Sequence, residues 1–291
     1  MAKFSNSGGQ TGGNNGASPT ILTLPANFTT QIGEQVVSGL GEANVRDQAY
    51  SVLLPPAQDQ KVMIIGGGIL DTTASCYIAD LKASTPVFAV AAPMSNKRMH
   101  HHAILLPDRT VFVCGGSGGN ENIDLSELPP ELYNPATNTW TTLERPSIRG
   151  RVYHSTAILL PDGRIALTGG NPSRGTVEPR IEIYSPPYIN QTRPGIQSAP
   201  TLIRYNSGSM VIQTTQAADI KWAQLVRPIA TTHTCDTEQR VVDLPITNRN
   251  TTSITVQVTN NRNLAPPGWY MLFIVDNNNV PSVARWIQLV S

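Results

Sequence analysis

Histidine is the residue in this chain best suited to metal chemistry, and it is scarce. The 291-residue sequence has five: His100, His101, His102, His154 and His233. His154 follows Tyr153 in "RGRVYHSTAILLPDGRIALTGGNP" (149–172), ahead of an apolar run, a Pro-Asp-Gly turn, a second apolar run and two glycines. His233 lies in "RPIATTHTCDTEQRVVDL", between two strand-like runs and therefore on a loop. Neutral imidazole nitrogens and a phenolate oxygen suit Cu(II), which accepts tetragonal N and O coordination. Adjacent side chains on a regular strand point to opposite faces, so Tyr153 and His154 reach one ion only where the chain bends. Gly150, just upstream, permits such a bend. The alternative for each lone histidine is a hydrogen-bonded surface or core group. In the triplet, His100 and His102 would share one face of a strand, a spacing that can grip a metal; the alternative is a polar strand edge.

These residues sit in a repeat. "HHHAILLPDRTVFVCGGSGG" (100–119) aligns with "HSTAILLPDGRIALTGGNPS" (154–173), and "YSVLLPPAQDQKVMIIGGG" (50–68) is a weaker copy. Each copy has an apolar strand, a proline-containing turn, a second apolar strand and a Gly-Gly. Further strands follow at "ASCYIADL" (74–81), "LYNPATNTW" (132–140) and "RIEIYSPPYI" (180–189). The Tyr, turn and Trp spacing of "LYNPATNTW" is that of kelch-type propeller blades, and a period of about 50 residues predicts blades of about four strands. Three blades are legible, with at most part of a fourth before residue 45. Propellers usually need four or more to close, so further blades are expected upstream in a longer gene product. The alternative is an ordinary β-sandwich with chance Gly-Gly dipeptides.

After about residue 186 the repeat stops. "APTLIRYNSGSMVIQ", "SITVQVT" and "WYMLFIVDNNNVPSVARWIQLV" alternate apolar and polar residues around short turns, which predicts an antiparallel sandwich of about 100 residues. The expectation is an all-β chain: a flexible lead-in at 1–20, incomplete propeller blades at 21–185, and a sandwich at 186–291.

Composition narrows the class. Hydrophobic residues make up 40% and charged residues 14%, with 21 basic against 20 acidic side chains and a net charge of +1. No basic cluster suggests a nucleic-acid or anionic-membrane partner. No run approaches the roughly 20 apolar residues of a membrane helix, and the first 20 residues have no signal-peptide h-region. Cys76, Cys114 and Cys235 form no disulfide framework or zinc motif. Cys114, inside "TVFVCGG", is expected to be a small buried hydrophobe.

"RVYHSTAILLPDGRIALTGGNP", "IEIYSPPYI", "THTCDTEQR" and "LAPPGWYMLFIVDNNNVPSVARWIQL" together resemble the C-terminal half of the copper-radical oxidases, galactose oxidase and, more closely, glyoxal oxidase. The resemblance runs from about residue 45 to 291. It implies kelch propeller blades followed by an immunoglobulin-like early-set domain, one loop of which reaches back to supply a copper ligand. By motif, Tyr153 resembles the axial tyrosine that accepts a proton, and His154 and His233 resemble two equatorial copper ligands. Arg240 matches a recurrent position; its alternative role is a salt bridge or carbonyl contact within the sandwich. The family's remaining equatorial ligand is a tyrosine joined to a cysteine by a thioether, and it bears the radical. That cofactor is not identifiable here: Cys76 resembles a cysteine of a later blade, and neither Tyr50 nor Tyr77 has the motif.

The implied activity is oxidation of a small aldehyde or a primary alcohol, including a carbohydrate, by O2 to give H2O2. The closer match to glyoxal oxidase favours glyoxal or methylglyoxal. The chain alone is expected to be inactive without the Cys-Tyr half. The alternative is a non-catalytic propeller and early-set module that binds glycans or proteins. The resembled family is extracellular, and open blade edges are expected to promote association.

Overall fold

The computed structural model describes residues 3–6, 19–23, 33–42, 46–68, 71–120, 122–146, 148–171, 175–232 and 235–291. Among them, regular structure consists of strands and short 3-10 turns. Strands β1 (Lys3–Asn6), β2 (Thr20–Thr23) and β3 (Gly33–Val36) form a small antiparallel sheet. Part of the segment read as a lead-in is thus strand-paired, from Lys3↔Thr23 to Asn6↔Thr20. Ile21 and Val37 pack with Ile64, Ala79 and Phe88, which fixes this sheet to the first blade.

Three meanders follow. The first is β4 (Tyr50–Leu53), β5 (Lys61–Ile65), β6 (Cys76–Asp80) and β7 (Phe88–Ala91). The second is β8 (Met99–Leu105), β9 (Val111–Ser117), β10 (Glu131–Asn134) and β11 (Thr139–Thr142). The third is β12 (Ser155–Leu159), β13 (Ile165–Gly169) and β14 (Ile181–Tyr184). The first strands β4, β8 and β12 lie against one another in that order, so the sheets succeed one another as propeller blades do. β8 and β9 are buried along their whole length because neighbouring blades cover both faces. "LYNPATNTW" is a hairpin: Tyr133 pairs with Trp140, ring centroids 4.9 Å apart, and the Trp140 indole donates to the Ala92 carbonyl of the preceding blade.

The Gly-Gly repeat has a specific purpose. Nη1 of Arg46, Arg98 and Arg151 donates to the carbonyls of Gly66, Gly115 and Gly169 at 2.8, 3.1 and 2.7 Å. Those glycines are left-handed, with φ of 57°, 67° and 69°. The next glycine donates to the following blade: Gly67 N to Arg98 O at 2.9 Å and Gly116 N to Arg151 O at 2.7 Å. Each Gly-Gly therefore closes its own blade, and the first two clasp the next. A Cβ on Gly115 would lie 2.7 Å from Arg151 O, on a backbone that side chains disfavour. Gly115→Ala is expected to cost about 2–4 kcal/mol in chemical denaturation, with the midpoint moved and the slope unchanged.

The C-terminal domain pairs β15 (Leu202–Arg204), β24 (Arg285–Val290), β23 (Gly268–Asp276), β17 (Ile220–Val226) and β20 (Val241–Leu244) in one sheet. β16 (Ser209–Gln213), β22 (Ser253–Gln257) and β21 (Ile246–Arg249) form the other. Their inner faces enclose Ile212, Leu225, Val256, Tyr270, Leu272 and Ile287. The outer face of the larger sheet, through Val226, Val241, Met271 and Phe273, shares a core with the blades. Gln224 Nε2 donates to Pro107 O at 2.6 Å, and Arg193 reaches Asp162 O and Pro281 O at 2.7 Å each. The two parts thus share hydrophobic burial and buried polar contacts.

Candidate metal site

Three blade-entry turns share one backbone design, and the third carries Tyr153 and His154. In each, the anchoring arginine precedes a left-handed residue: Gln48 (φ 56°), His100 (φ 52°) and His154 (φ 62°). One residue separates arginine from left-handed residue in the first two blades and two in the third, so Tyr153 is an insertion. It creates a tight turn, Val152–Ser155, closed by Ser155 N donating to Val152 O at 3.0 Å and Ser155 Oγ donating to the same oxygen at 2.7 Å. Asn171 N holds the Tyr153 carbonyl at 2.9 Å. A left-handed third residue is the conformation of a type II turn, usually given to Gly or Asn. The bend expected from Gly150 (φ 83°) thus has a second component at His154 itself. The outcome is convergence: the Tyr153 and His154 rings lie 3.9 Å apart at 45°, with Tyr153 half-buried and His154 exposed.

The other histidines lie deeper. His100 is buried, its ring 5.2 Å from that of Tyr153. His102 Nε2 contacts Ser155 Oγ at 2.9 Å, so His100 and His102 both turn toward the third blade. His101 turns the other way, 6.0 Å from the Tyr50 ring, and a Cβ on Gly66 or Gly116 would reach it at 3.1 or 3.0 Å. Burial pushes the His102 imidazole down to about 4 and His101 well below the usual histidine range. Both are neutral at pH 7.

The sandwich sends a segment back to the blades. Strands β18 (Thr231–Thr232) and β19 (Cys235–Asp236) pair as a hairpin, and β18 packs on β12, the strand that follows Tyr153-His154. Asp236 N donates to the Tyr50 hydroxyl at 3.0 Å, and Gln239 Nε2 donates to Ser51 O at 3.3 Å, fastening the hairpin along β4. His233 follows Thr232 in the chain and lies outside the described residues. Among the described residues, no three His, Cys, Asp or Glu side chains converge as a metal site. The described part of the candidate site is Tyr153 with His154. Arg240 stays in the sandwich, beside the Tyr270 hydroxyl. Cys114 is fully buried beside the His102 strand position, its thiol pushed up to about 12. Cys76 is likewise buried and pushed up to about 12, which suits packing and not reactivity. A cavity of about 760 Å³ opens elsewhere, among Lys61, Asp80, Asn134, Lys221 and Trp222, and neither Tyr153 nor His154 lines it.

Comparison with known proteins follows the same division of the chain. Residues 56–188 match the family described as glyoxal oxidase N-terminus, and residues 193–289 match the galactose oxidase-like, early set domain. The chain belongs to the galactose oxidase and glyoxal oxidase family. It is 32% identical over 200 residues to a galactose oxidase of Gibberella zeae, covering 66% of this chain and 29% of that protein. It is 30% identical over 243 residues to an aldehyde oxidase of Arabidopsis thaliana, covering 74% and 39%. A fungal alcohol oxidase solved in complex with copper superposes with a TM-score of 0.82 at 27% identity, over 94% of this chain and 59% of that one. The chain thus spans less than two thirds of each of these relatives.

Within this oxidase family frame, the expected all-β architecture and early-set domain are both found. The arginine anchors and the one-residue insertion at Tyr153 escaped sequence reading. Aligning each blade on its arginine instead of on the Leu-Pro pair would have exposed the insertion.

Proposed function

We propose that this chain carries the copper-binding elements of an oxidase that converts primary alcohols or small aldehydes with O2. A primary alcohol would give its aldehyde, and an aldehyde hydrate its carboxylic acid; each loses two electrons and two protons, which reduce O2 to H2O2. The observation that carries this reading is the convergence of the Tyr153 and His154 rings, 3.9 Å apart, on an exposed turn flanked by β18 of the sandwich hairpin. A phenolate oxygen and an imidazole nitrogen fit Cu(II), and His233, next in the chain after Thr232, would add the second imidazole. When bound, Cu(II) supplies one-electron redox chemistry at a Lewis-acidic centre. Tyr153 would take the proton from the substrate hydroxyl, while the turn orients both ligands.

The test is Cu(II) titration followed by EPR on the wild type and on a His154→Ala/His233→Ala double variant. One copper with nitrogen hyperfine structure is expected in the wild type, and a loss of at least tenfold in affinity in the variant. Identical behaviour of the two would move the assignment to a non-catalytic propeller and early-set module. Peroxide formation from methylglyoxal is expected to be absent from the copper-loaded chain, because no Cys-Tyr pair matching the family's cofactor is recognisable in this sequence.

A further inference from the structure

Tyr153 is flanked on two sides. His154 lies against one part of its ring at 3.9 Å, and the buried His100 of the preceding blade lies 5.2 Å away at 46°. His100 occupies in the second blade the left-handed position that His154 occupies in the third. A non-glycine residue held there costs on the order of 1 kcal/mol or more, and such strain persists only where the surroundings impose it. Those surroundings are visible: His100 N donates to Gln48 O of the first blade at 3.3 Å, and Arg98, two residues earlier, is pinned to Gly115 O and to Glu131. The imidazole is therefore fixed from the blade scaffold, whereas Tyr153 stands on a half-exposed turn.

We infer that His100 is a positioning residue for Tyr153: its ring packs against the phenol and holds it where Tyr153 and His154 face the same ion. This rests on the proposed function for the ion, but the packing of Tyr153 stands apart from it. The inserted residue explains the need. Tyr153 has no counterpart in the other two blade entries, and His100 of the preceding blade packs against it.

The experiment uses the full chain labelled with 3-fluorotyrosine, in wild type, His100→Phe and His100→Asn. Asn tolerates the left-handed backbone and removes the ring, whereas Phe keeps a ring of similar breadth. The chain has eight tyrosines, and Tyr153→Phe assigns the one fluorine line of interest. In the metal-free chain, His100→Asn is expected to shift or broaden the Tyr153 line alone, and His100→Phe to restore a single sharp line. An unmoved Tyr153 line in His100→Asn overturns the inference; so does a general loss of dispersion, which would make His100 an ordinary core residue. In the Cu(II)-loaded chain, His100→Asn is expected to keep the copper stoichiometry and to change the EPR hyperfine splitting. A copper signal identical to wild type overturns the orienting role. Failure of the wild type to bind copper through His154 would sink the proposed function instead, and the fluorine result would still decide whether His100 holds Tyr153.

Discussion

Replacing Glu131 by alanine is expected to cost about 3–5 kcal/mol, the range for stripping one partner from a buried ion pair. Glu131 and Arg98 are both fully buried, 2.8 Å apart, at the junction of two blades. The carboxylate also accepts from Ser95 N at 2.6 Å, Asn96 N at 3.1 Å and Asn96 Nδ2 at 3.2 Å, so it orders the link from β7 to β8. Burial pushes the Arg98 guanidinium pKa down, and the facing carboxylate opposes that shift. Without Glu131 the guanidinium keeps its contacts to Gly115 O and Pro129 O but loses its counter-charge in a site closed to water. Asp59→Ala is the control: its pair with Lys82 is 3.8 Å long with both side chains half exposed, and its loss is expected to cost under about 1 kcal/mol. Urea denaturation of the two variants side by side measures the difference. Equal midpoints would show that the Arg98 site admits water or a replacement anion.

Much of this architecture was legible because it is written in local chemistry. The apolar runs, the proline-containing turns and the Gly-Gly dipeptides each act over a few residues, so β4–β5, β8–β9 and β12–β13 appear in the sequence as matched pairs. The sandwich strands show in the same way, through alternation on half-buried sheets. What escaped depends on partners far apart in sequence. Arg46, Arg98 and Arg151 play one structural role, yet their acidic partners Glu42, Glu131 and Glu182 lie 4, 33 and 31 residues away. No fixed spacing marks them. The convergence of Tyr153 and His154 was legible only as a requirement for a bend; its cause, a left-handed histidine after an inserted residue, is a backbone property that histidine does not advertise. The pairing of Lys3–Asn6 with Thr20–Thr23 was hidden by the glycine- and asparagine-rich segment between them, which reads as linker whatever its ends do.

The second large effect concerns acid. His101 and His102 are completely buried, and burial holds both imidazoles neutral: His102 is pushed from 6.5 down to about 4, and His101 well below its usual range. In the unfolded chain both protonate near pH 6.5. The unfolded state therefore binds more protons than the folded one between those values, and stability falls as pH drops. The contribution is fully present above pH 6.5 and is lost as pH falls toward 4. At about 1.4 kcal/mol per pH unit, His102 alone removes about 2 kcal/mol by pH 5 and about 3 kcal/mol by pH 4. His101 acts in the same direction. Glu42, whose carboxyl is held below its ordinary value by Ser75 and Thr73, contributes only below about pH 4.5. Burial raises the Asp108 and Asp236 carboxyls, which act in the opposite direction, so the difference between wild type and a His102 variant isolates that histidine. Thermal unfolding at pH 7, 6 and 5 is expected to show a steady fall, and His102→Gln, which accepts no proton, is expected to reduce its slope. Because β8 sits between β4 and β12, protonating this strand strikes the contact between blades before it strikes any blade alone. Acid should therefore loosen the seam between blades, where Tyr153 meets His100, ahead of global unfolding. A fluorine-labelled Tyr153 that broadens at a higher pH than the main melting transition would show that order of events, and simultaneous change would show that the blades part and unfold as one.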